Sequence, residues 1–313
     1  MTTTSYVGRF APSPTGPLHF GSLLAALGSC LEARIHGGRW LLRMEDVDEP
    51  RCSQEAADRI LRALEQCGFA WDGPVVMQSE CKALYRDALD HLRAVGLAYP
   101  CACTRRELAD SALAPDGATI YPGTCRNGLP PGKQARAWRL KVADETICFD
   151  DALQGRCCQD LGREVGDFVL LRADGYFAYQ LAVVVDDAEQ GITHIVRGAD
   201  LLASTPRQIH LQSRLGLPTP AYAHLPVAVD AAGEKLSKQT LAAPVQAGAP
   251  VLVDALAFLG QRPPADLRSA AIEDIWAWAM DNWTLAAVPR RRALCTEFLA
   301  GAVAGEADGQ PNH

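Results

Sequence analysis

Short apolar runs alternate with helical spacing along the first third of the chain. Tyr6-Val-Gly-Arg-Phe10 predicts a buried strand. Pro12, Pro14, Gly16 and Pro17 then interrupt any regular element, and helical periodicity runs from near His19 to about Ile35. Gly37-Gly38 ends that helix, and Trp40-Leu-Leu-Arg-Met44 predicts a second strand. An acidic cluster follows at Glu45, Asp46, Asp48 and Glu49. Ser53 is placed to cap the next helix, whose apolar face is Ile60, Leu61 and Leu64. Strands alternating with helices predict a parallel α/β sheet. Asp167-Phe-Val-Leu-Leu171 and the β-branched run Leu181-Ala-Val-Val-Val185 continue the pattern as two further strands.

Between Cys101 and Gly162 the alternation gives way to a stretch rich in Gly, Pro and Cys, which predicts a small inserted subdomain. From Leu241 the chain turns Ala-rich and helical. Val251 to Leu259 and Ile275 to Trp283 are its clearest helices, with Trp276, Trp278 and Trp283 packing them, and Gly305 to His313 reads as a frayed end. No internal repeat is visible.

Composition narrows the class. The chain has 313 residues, 48% hydrophobic and 21% charged, which is ordinary globular usage. The run Leu181 to Val185 is far too short to span a bilayer, and Met1 to Ser5 has no basic region leading into an apolar core. A cytoplasmic location with no membrane partner is therefore expected. The eleven cysteines, odd in number, are expected as reduced thiols, metal ligands or core residues rather than a disulfide framework. A net charge of -7 excludes broad electrostatic coating of nucleic acid, so any RNA contact must be local.

Two stretches carry chemistry. In Arg9-Phe-Ala-Pro-Ser-Pro-Thr-Gly-Pro-Leu-His-Phe-Gly-Ser22 a strand leads through a rigid loop into a helix N-terminus, where free backbone N–H groups favour phosphate. Gly16 and Gly21 leave room for a nucleotide against the backbone, and His19 in the first turn is placed to donate to a phosphate oxygen. Gly233-Glu-Lys-Leu-Ser-Lys-Gln239 sets two lysines on a glycine-hinged loop, suited to charge building on a pyrophosphate leaving group. Taken alone, the first reads more simply as a proline-rich turn with a capping histidine and the second as a solvated loop.

Together they resemble the two signatures of the class I aminoacyl-tRNA synthetases, written HIGH and KMSKS. Here they stand as His19-Phe-Gly-Ser22 and Lys235-Leu-Ser-Lys-Gln239, each departing at its last position. The resemblance covers most of residues 6 to 240 and is specific to the glutamyl/glutaminyl branch. Besides the first loop it rests on Arg43-Met-Glu-Asp46, Leu181-Ala-Val-Val-Val-Asp-Asp187, Gly191-Ile-Thr-His-Ile-Val-Arg-Gly-Ala-Asp-Leu201 and Ala223-His-Leu-Pro226. It implies a Rossmann-type class I catalytic domain with an inserted zinc-binding subdomain and a short α-helical C-terminal region. The expected divisions are 1–100 and 163–240 for the two catalytic halves, 101–162 for an acceptor-binding insertion, and 241–313 for the tail.

The resemblance also implies site roles. His19, Lys235 and Lys238 would be catalytic, and Pro12, Thr15, Gly16, His19, Gly21 and Lys238 would hold ATP, with Mg²⁺ assisting the pyrophosphate. Glutamate needs fixed cations for its carboxylates and an anion for its ammonium. Arg9 and Arg197 are the candidate cations, Ser13 and Tyr179 the hydrogen-bonding groups, and Glu45 the anion; which arginine reads the side-chain carboxylate stays open. Attack of the glutamate α-carboxylate on the ATP α-phosphorus would give glutamyl-adenylate without any enzyme nucleophile.

Cys101, Cys103 and Cys125 in the insertion are spaced for a structural zinc, one per chain. Spacing alone leaves the fourth ligand open among Cys148, the Cys157-Cys158 pair and water, whereas the resemblance points to Tyr121. Cys30, Cys52, Cys67, Cys81 and Cys295 read as core or surface thiols on helical patterns. Only 74 residues follow Gln239, too few for the anticodon-binding region of the longer synthetases, and Arg290-Arg-Arg292 is a basic patch within them. This combination resembles the free-standing glutamyl-queuosine tRNA(Asp) synthetases. It implies a monomer whose partners are L-glutamate, ATP and tRNA(Asp) carrying queuosine. Rival readings are a truncated synthetase charging the 3′ end of tRNA(Glu) and a non-catalytic binding module.

Overall fold

The computed structural model describes residues 5–296 apart from 110, 115, 116, 118, 231 and 234–245. Lys235 and Lys238 of the expected pyrophosphate loop, and the expected frayed end, lie outside the described residues. In chain order the elements are β1 (Val7–Phe10), α1 (Phe20–Ile35), β2 (Arg39–Met44), α2 (Gln54–Gln66), β3 (Val76–Met77), α3 (Lys82–Ala94), β4 (Ala98–Cys101), β5 (Ala137–Leu140), β6 (Thr146–Asp151) and β7 (Gly155–Asp160). Then come α4 (Leu161–Glu164), β8 (Val169–Leu171), α5 (Tyr179–Glu189), β9 (His194–Gly198), α6 (Thr205–Leu215), β10 (Ala221–Leu225), β11 (Val227–Val229), α7 (Ala249–Phe258), α8 (Ile272–Asn282) and β12 (Ala293–Cys295). No helix among the described residues is long and apolar enough to cross a membrane.

Two groups of parallel strands form the frame. β1, β2 and β3 pair in that order, and β9, β10 and β6 pair with β7 beyond them. The groups meet at β1 and β9, where Thr193 N–H donates to Val7 O (3.0 Å) and Thr193 Oγ1 accepts from Val7 N–H (2.9 Å). Strand order reverses at that junction, and open α/β sheets hold their ligands beyond the strand C-termini at such a point.

The core explains the local choices. Helix α1 buries Leu23, Leu24, Leu27 and Leu31 against Phe10, Trp40 and Leu42 of the sheet, with α7 and α8 packed alongside. Ser29 on α1 accepts from the buried Trp40 indole (2.9 Å), and Glu32 accepts from that of Trp283 (2.7 Å), so the polar positions of this apolar helix are partnered. A second cluster joins α3, α5 and α6 to the antiparallel sheet β4-β5-β8.

Four expectations need correction. The run Leu181 to Val185 is not a strand but lies inside α5. It is buried on nearly every side, and such a run carries no period that separates helix from strand, so tertiary packing decides. The hairpin β6–β7, expected within an insertion, instead joins β10 through the register Tyr222 to Asp151. Cys148 and Cys158 face each other across that hairpin with Cα atoms 4.1 Å apart and form a disulfide, which removes them from the candidate metal ligands. Finally, the tail is not purely helical: β12, carrying Cys295, returns to pair with β11 directly after the Arg290-Arg-Arg292 stretch.

One turn is sterically fixed. A Cβ on Gly38 would sit 2.3 Å from Tyr6 O, the atom that accepts from Arg39 N–H (2.9 Å) and starts the β1–β2 register. Gly38→Ala is expected to lower unfolding free energy by about 2 kcal/mol or more in urea titrations, whereas Gly37→Ala, with open space around it, acts only through its positive φ.

Candidate active site

The loop between β1 and α1 is stapled to the segment after β2. Glu45 N–H donates to Pro12 O (2.9 Å) and Ser53 N–H to Pro14 O (3.1 Å), so prolines without donors supply acceptors to a neighbouring loop. His19 caps α1: its Nδ1 accepts from Ser22 N–H (3.2 Å). An accepting Nδ1 leaves the proton on Nε2, which then donates to Ser22 Oγ (2.9 Å). Ser22, standing where the motif has its second histidine, therefore orients the first.

A cavity of about 560 Å³ opens at the C-terminal ends of β1, β2, β9 and β10. Of the expected residues, Arg9, Pro12, Ser13, Thr15, His19, Gly21, Glu45, Tyr179 and Arg197 all line it. Gly16 lies in the same loop but does not line the cavity, and Lys235 and Lys238 are outside the described residues. Asp200, Leu201 and Val227 line it without having been singled out as site residues.

The two candidate arginines differ in their surroundings. Arg9 is neutralised: its Nε and Nη2 donate to Asp187 at 3.0 and 3.3 Å. Asp187 also accepts from Arg43 (2.8 Å), whose Nη2 reaches Glu45 (3.4 Å) and whose Nε stands 3.7 Å from Asp186. Arg43 is thus no surface pair, as its side chain is wholly buried. Burial pushes the Asp187 carboxyl up, but Arg9 and Arg43 outweigh it and hold it below the usual range. At Glu45 burial wins over the same two cations, so its carboxyl titrates above the usual range. Burial, aided by the Glu45 charge, pushes the Tyr179 phenol up to about 12.

Arg197 is buried and, among the described residues, meets no carboxylate. Its Nη2 donates to Thr205 Oγ1 (2.8 Å) and Gln208 Oε1 (2.9 Å), its Nε to His224 Nε2 (3.0 Å), and its Nη1 finds no acceptor among the described residues. A buried guanidinium bonded only to neutral groups keeps its charge available to an anion in the cavity.

Residues 6–251 match the model for tRNA synthetases class I (E and Q), catalytic domain. A glutamyl-Q tRNA(Asp) synthetase from Aromatoleum aromaticum is 64% identical over 288 residues, covering 91% of each chain. One from Dechloromonas aromatica is 63% identical over 293 residues, covering 92% of this chain and 97% of the relative. The chain belongs to the glutamyl-Q tRNA(Asp) synthetase family. Among solved structures, a glutamate-tRNA synthetase from Elizabethkingia anophelis superposes with a TM-score of 0.75 at 24% identity, over 96% of this chain and 70% of that one, which establishes the shared fold. As a member of the glutamyl-Q tRNA(Asp) synthetase family the chain is a ligase-type enzyme of class I, as its motifs implied.

This family member also carries a second cluster, at the end of β4. The sulfurs of Cys101, Cys103 and Cys125 lie within 4.8 Å of one another, with Cys103 and Cys125 at 3.7 Å. The Tyr121 hydroxyl stands 3.4 Å from Cys101 Sγ and 3.3 Å from Cys103 Sγ. Tetrahedral zinc with Zn–S bonds of about 2.3 Å needs sulfurs roughly 3.8 Å apart, which the Cys103–Cys125 pair matches, so the three thiols and the phenol are a donor set suited to the ion. Arg139 closes the group: its guanidinium lies 3.8 Å above the Tyr121 ring and its Nε donates to Cys101 Sγ (3.3 Å).

The buried ion network yields a test. Arg43→Leu leaves Asp186, Asp187 and Glu45 facing Arg9 alone, and is expected to cost about 3–5 kcal/mol in chemical denaturation at neutral pH. Asp187, with its lowered folded value, stabilises at neutral pH and loses that contribution as pH falls through that value. In the variant the uncompensated carboxylates titrate higher, so acid relieves them. The gap between wild type and variant should shrink as pH falls.

Proposed function

We propose that this enzyme activates L-glutamate with ATP and transfers the glutamyl group to queuosine in the anticodon loop of tRNA(Asp). The observation that carries the reading is the convergence, in one cavity, of an unpaired buried guanidinium, a buried carboxylate and a histidine-capped helix N-terminus. Arg197 takes a substrate carboxylate, Glu45 the ammonium, and Ser13 and Tyr179 supply hydrogen bonds. Arg9 is already neutralised by Asp187, so it contributes shape and a remaining donor rather than net charge. ATP lies along Pro12, Thr15, Gly16 and Gly21, with its phosphates toward the N-terminus of α1. His19 then stabilises the charged α-phosphorus as the glutamate carboxylate attacks, while Lys235 and Lys238, with Mg²⁺, take the pyrophosphate charge.

Selectivity follows from Arg197. A glutamine amide would set N–H donors against N–H donors, at a cost of about 1–3 kcal/mol or more. The acceptor assignment is supported by the names and high identity of the relatives across nine-tenths of the chain. The enzyme acts as a cytoplasmic monomer, and the β4-β5-β8 unit with its cysteine cluster is its acceptor-binding part.

Two experiments test the reading. Incubation with ATP, labelled glutamate and total tRNA, followed by nuclease mapping, should place the label on the queuosine-bearing fragment of tRNA(Asp). tRNA from cells that cannot make queuosine should stay unlabelled. Label on the 3′-terminal adenosine of tRNA(Glu) would show a truncated conventional synthetase instead.

Zinc is the second part. It would be held by Cys101, Cys103, Cys125 and Tyr121 and would fold the β4 end without touching the reaction. About one zinc per chain is expected on metal analysis of protein purified without chelator. Cys125→Ser should lose that metal and reduce transfer to tRNA while leaving adenylate formation largely intact; metal-free wild-type protein would refute the site.

A further inference from the structure

Behind Arg197 stands a hydrogen-bonded chain that the proposed chemistry does not use. His224, on β10, accepts from Arg197 Nε at its Nε2 (3.0 Å), and its Nδ1 lies 2.6 Å from Asp151 Oδ2 at the end of β6. Both side chains are inaccessible to solvent. The other oxygen of Asp151 is fully engaged, accepting from the backbone N–H of Leu153 (3.0 Å), Gln154 (2.8 Å) and His224 (3.1 Å).

We propose that Asp151 and His224 form a positioning dyad that holds Arg197 in its carboxylate-reading pose by fixing the imidazole as the Nδ1–H tautomer. The inference rests on the reading of Arg197 as the side-chain carboxylate receptor. Its physical logic is one of charge. A carboxylate bonded directly to Arg197 would neutralise it, as Asp187 does Arg9, and would blunt the difference between glutamate and glutamine. Interposing a neutral imidazole orients the guanidinium and leaves its charge for the substrate. Burial, reinforced by the adjacent Arg197 charge and opposed by Asp151, drives the His224 value down to about 4, so the ring is neutral at working pH.

Tautomer matters because Arg197 Nε–H needs an acceptor. With Nδ1–H given to Asp151, Nε2 presents a lone pair; with the proton on Nε2, two N–H groups would oppose each other at 3.0 Å. Thr205 Oγ1 and Gln208 Oε1 hold the second arm, and Gln208 is itself oriented by its amide donating to Gln180 Oε1 (3.0 Å).

Asp151→Asn gives the sharpest test. The three backbone donors keep the Asn carbonyl oxygen at the Oδ1 place, so the amide nitrogen faces His224 Nδ1 and forces the proton to Nε2. In glutamate-dependent exchange of pyrophosphate into ATP, this variant should raise KM for glutamate about tenfold or more and leave KM for ATP unchanged. His224→Leu should do the same. His224→Gln, whose amide oxygen replaces Nε2, should stay within about threefold of wild type. Nitrogen-15 NMR should report His224 protonated at Nδ1 in the wild type and at Nε2 in D151N.

The outcomes separate the two layers. If Arg197→Ala leaves KM for glutamate unchanged, the reading of Arg197 is wrong. If Arg197→Ala loses glutamate binding but folded D151N keeps a wild-type KM, the dyad plays no positioning part. A wild-type ring protonated at Nε2 overturns the proposal without any variant, should D151N fail to fold.

Discussion

Three buried carboxylates facing two buried guanidiniums set the constraint on which this fold turns. Asp186, Asp187 and Glu45 meet Arg9 and Arg43 between β1, β2 and α5, with Tyr85 and Gln78 donating to Asp186 at 2.7–2.8 Å. Charges taken out of water are tolerated only when each finds partners of good geometry. These partners are 144 and 178 residues apart, so the network ties β1 and β2 to a helix from far along the chain. The cluster also fixes the wall of the cavity. It holds Glu45 at its place after β2 and leaves Arg9 neutralised, which puts Arg197 alone among the buried cations of the cavity in having no anion among the described residues.

Much of this was legible in the chain. The proline-rich loop, the histidine cap and the glycines around it encode local geometry, and local geometry survives in any context that preserves the strand before and the helix after. Ser53 caps α2 as its type and position foretold, its Oγ accepting from Ala56 N–H (3.1 Å). The nine expected cavity residues that converge come from three strand ends, the loop after β1 and the starts of two helices, and a resemblance over whole motifs was needed to group them.

What the chain concealed depends on partners far away in sequence. The run Leu181 to Val185 looks like a strand because β-branched side chains favour strands, yet Asp186 and Asp187 must reach Arg43 and Arg9, and a helix beginning at Tyr179 brings Tyr179 to the cavity and the aspartates to the arginines. Arg43 stands beside Glu45 and Asp46 in sequence, yet its main partner, Asp187, is 144 residues away. The Asp151–His224–Arg197 chain joins three strands and leaves no trace in spacing. The disulfide is of the same kind: a pairing of Cys148 with Cys158 becomes visible only once the β6–β7 register is known.

The pairing of β11 with β12 bears on how the protein is made. Val227, which lines the cavity, opens β11, and its N–H donates to Arg292 O (2.9 Å) as that strand takes up its partner, with Ala293 opposite. Gln154 adds a second tie, its amide donating to both His224 O and Arg291 O. During vectorial synthesis the sheet and α1 can assemble early, but this rim must wait until Cys295 has cleared the ribosome. A nascent chain therefore holds most of the residues that line the cavity before β12 exists to complete the rim to which Val227 belongs.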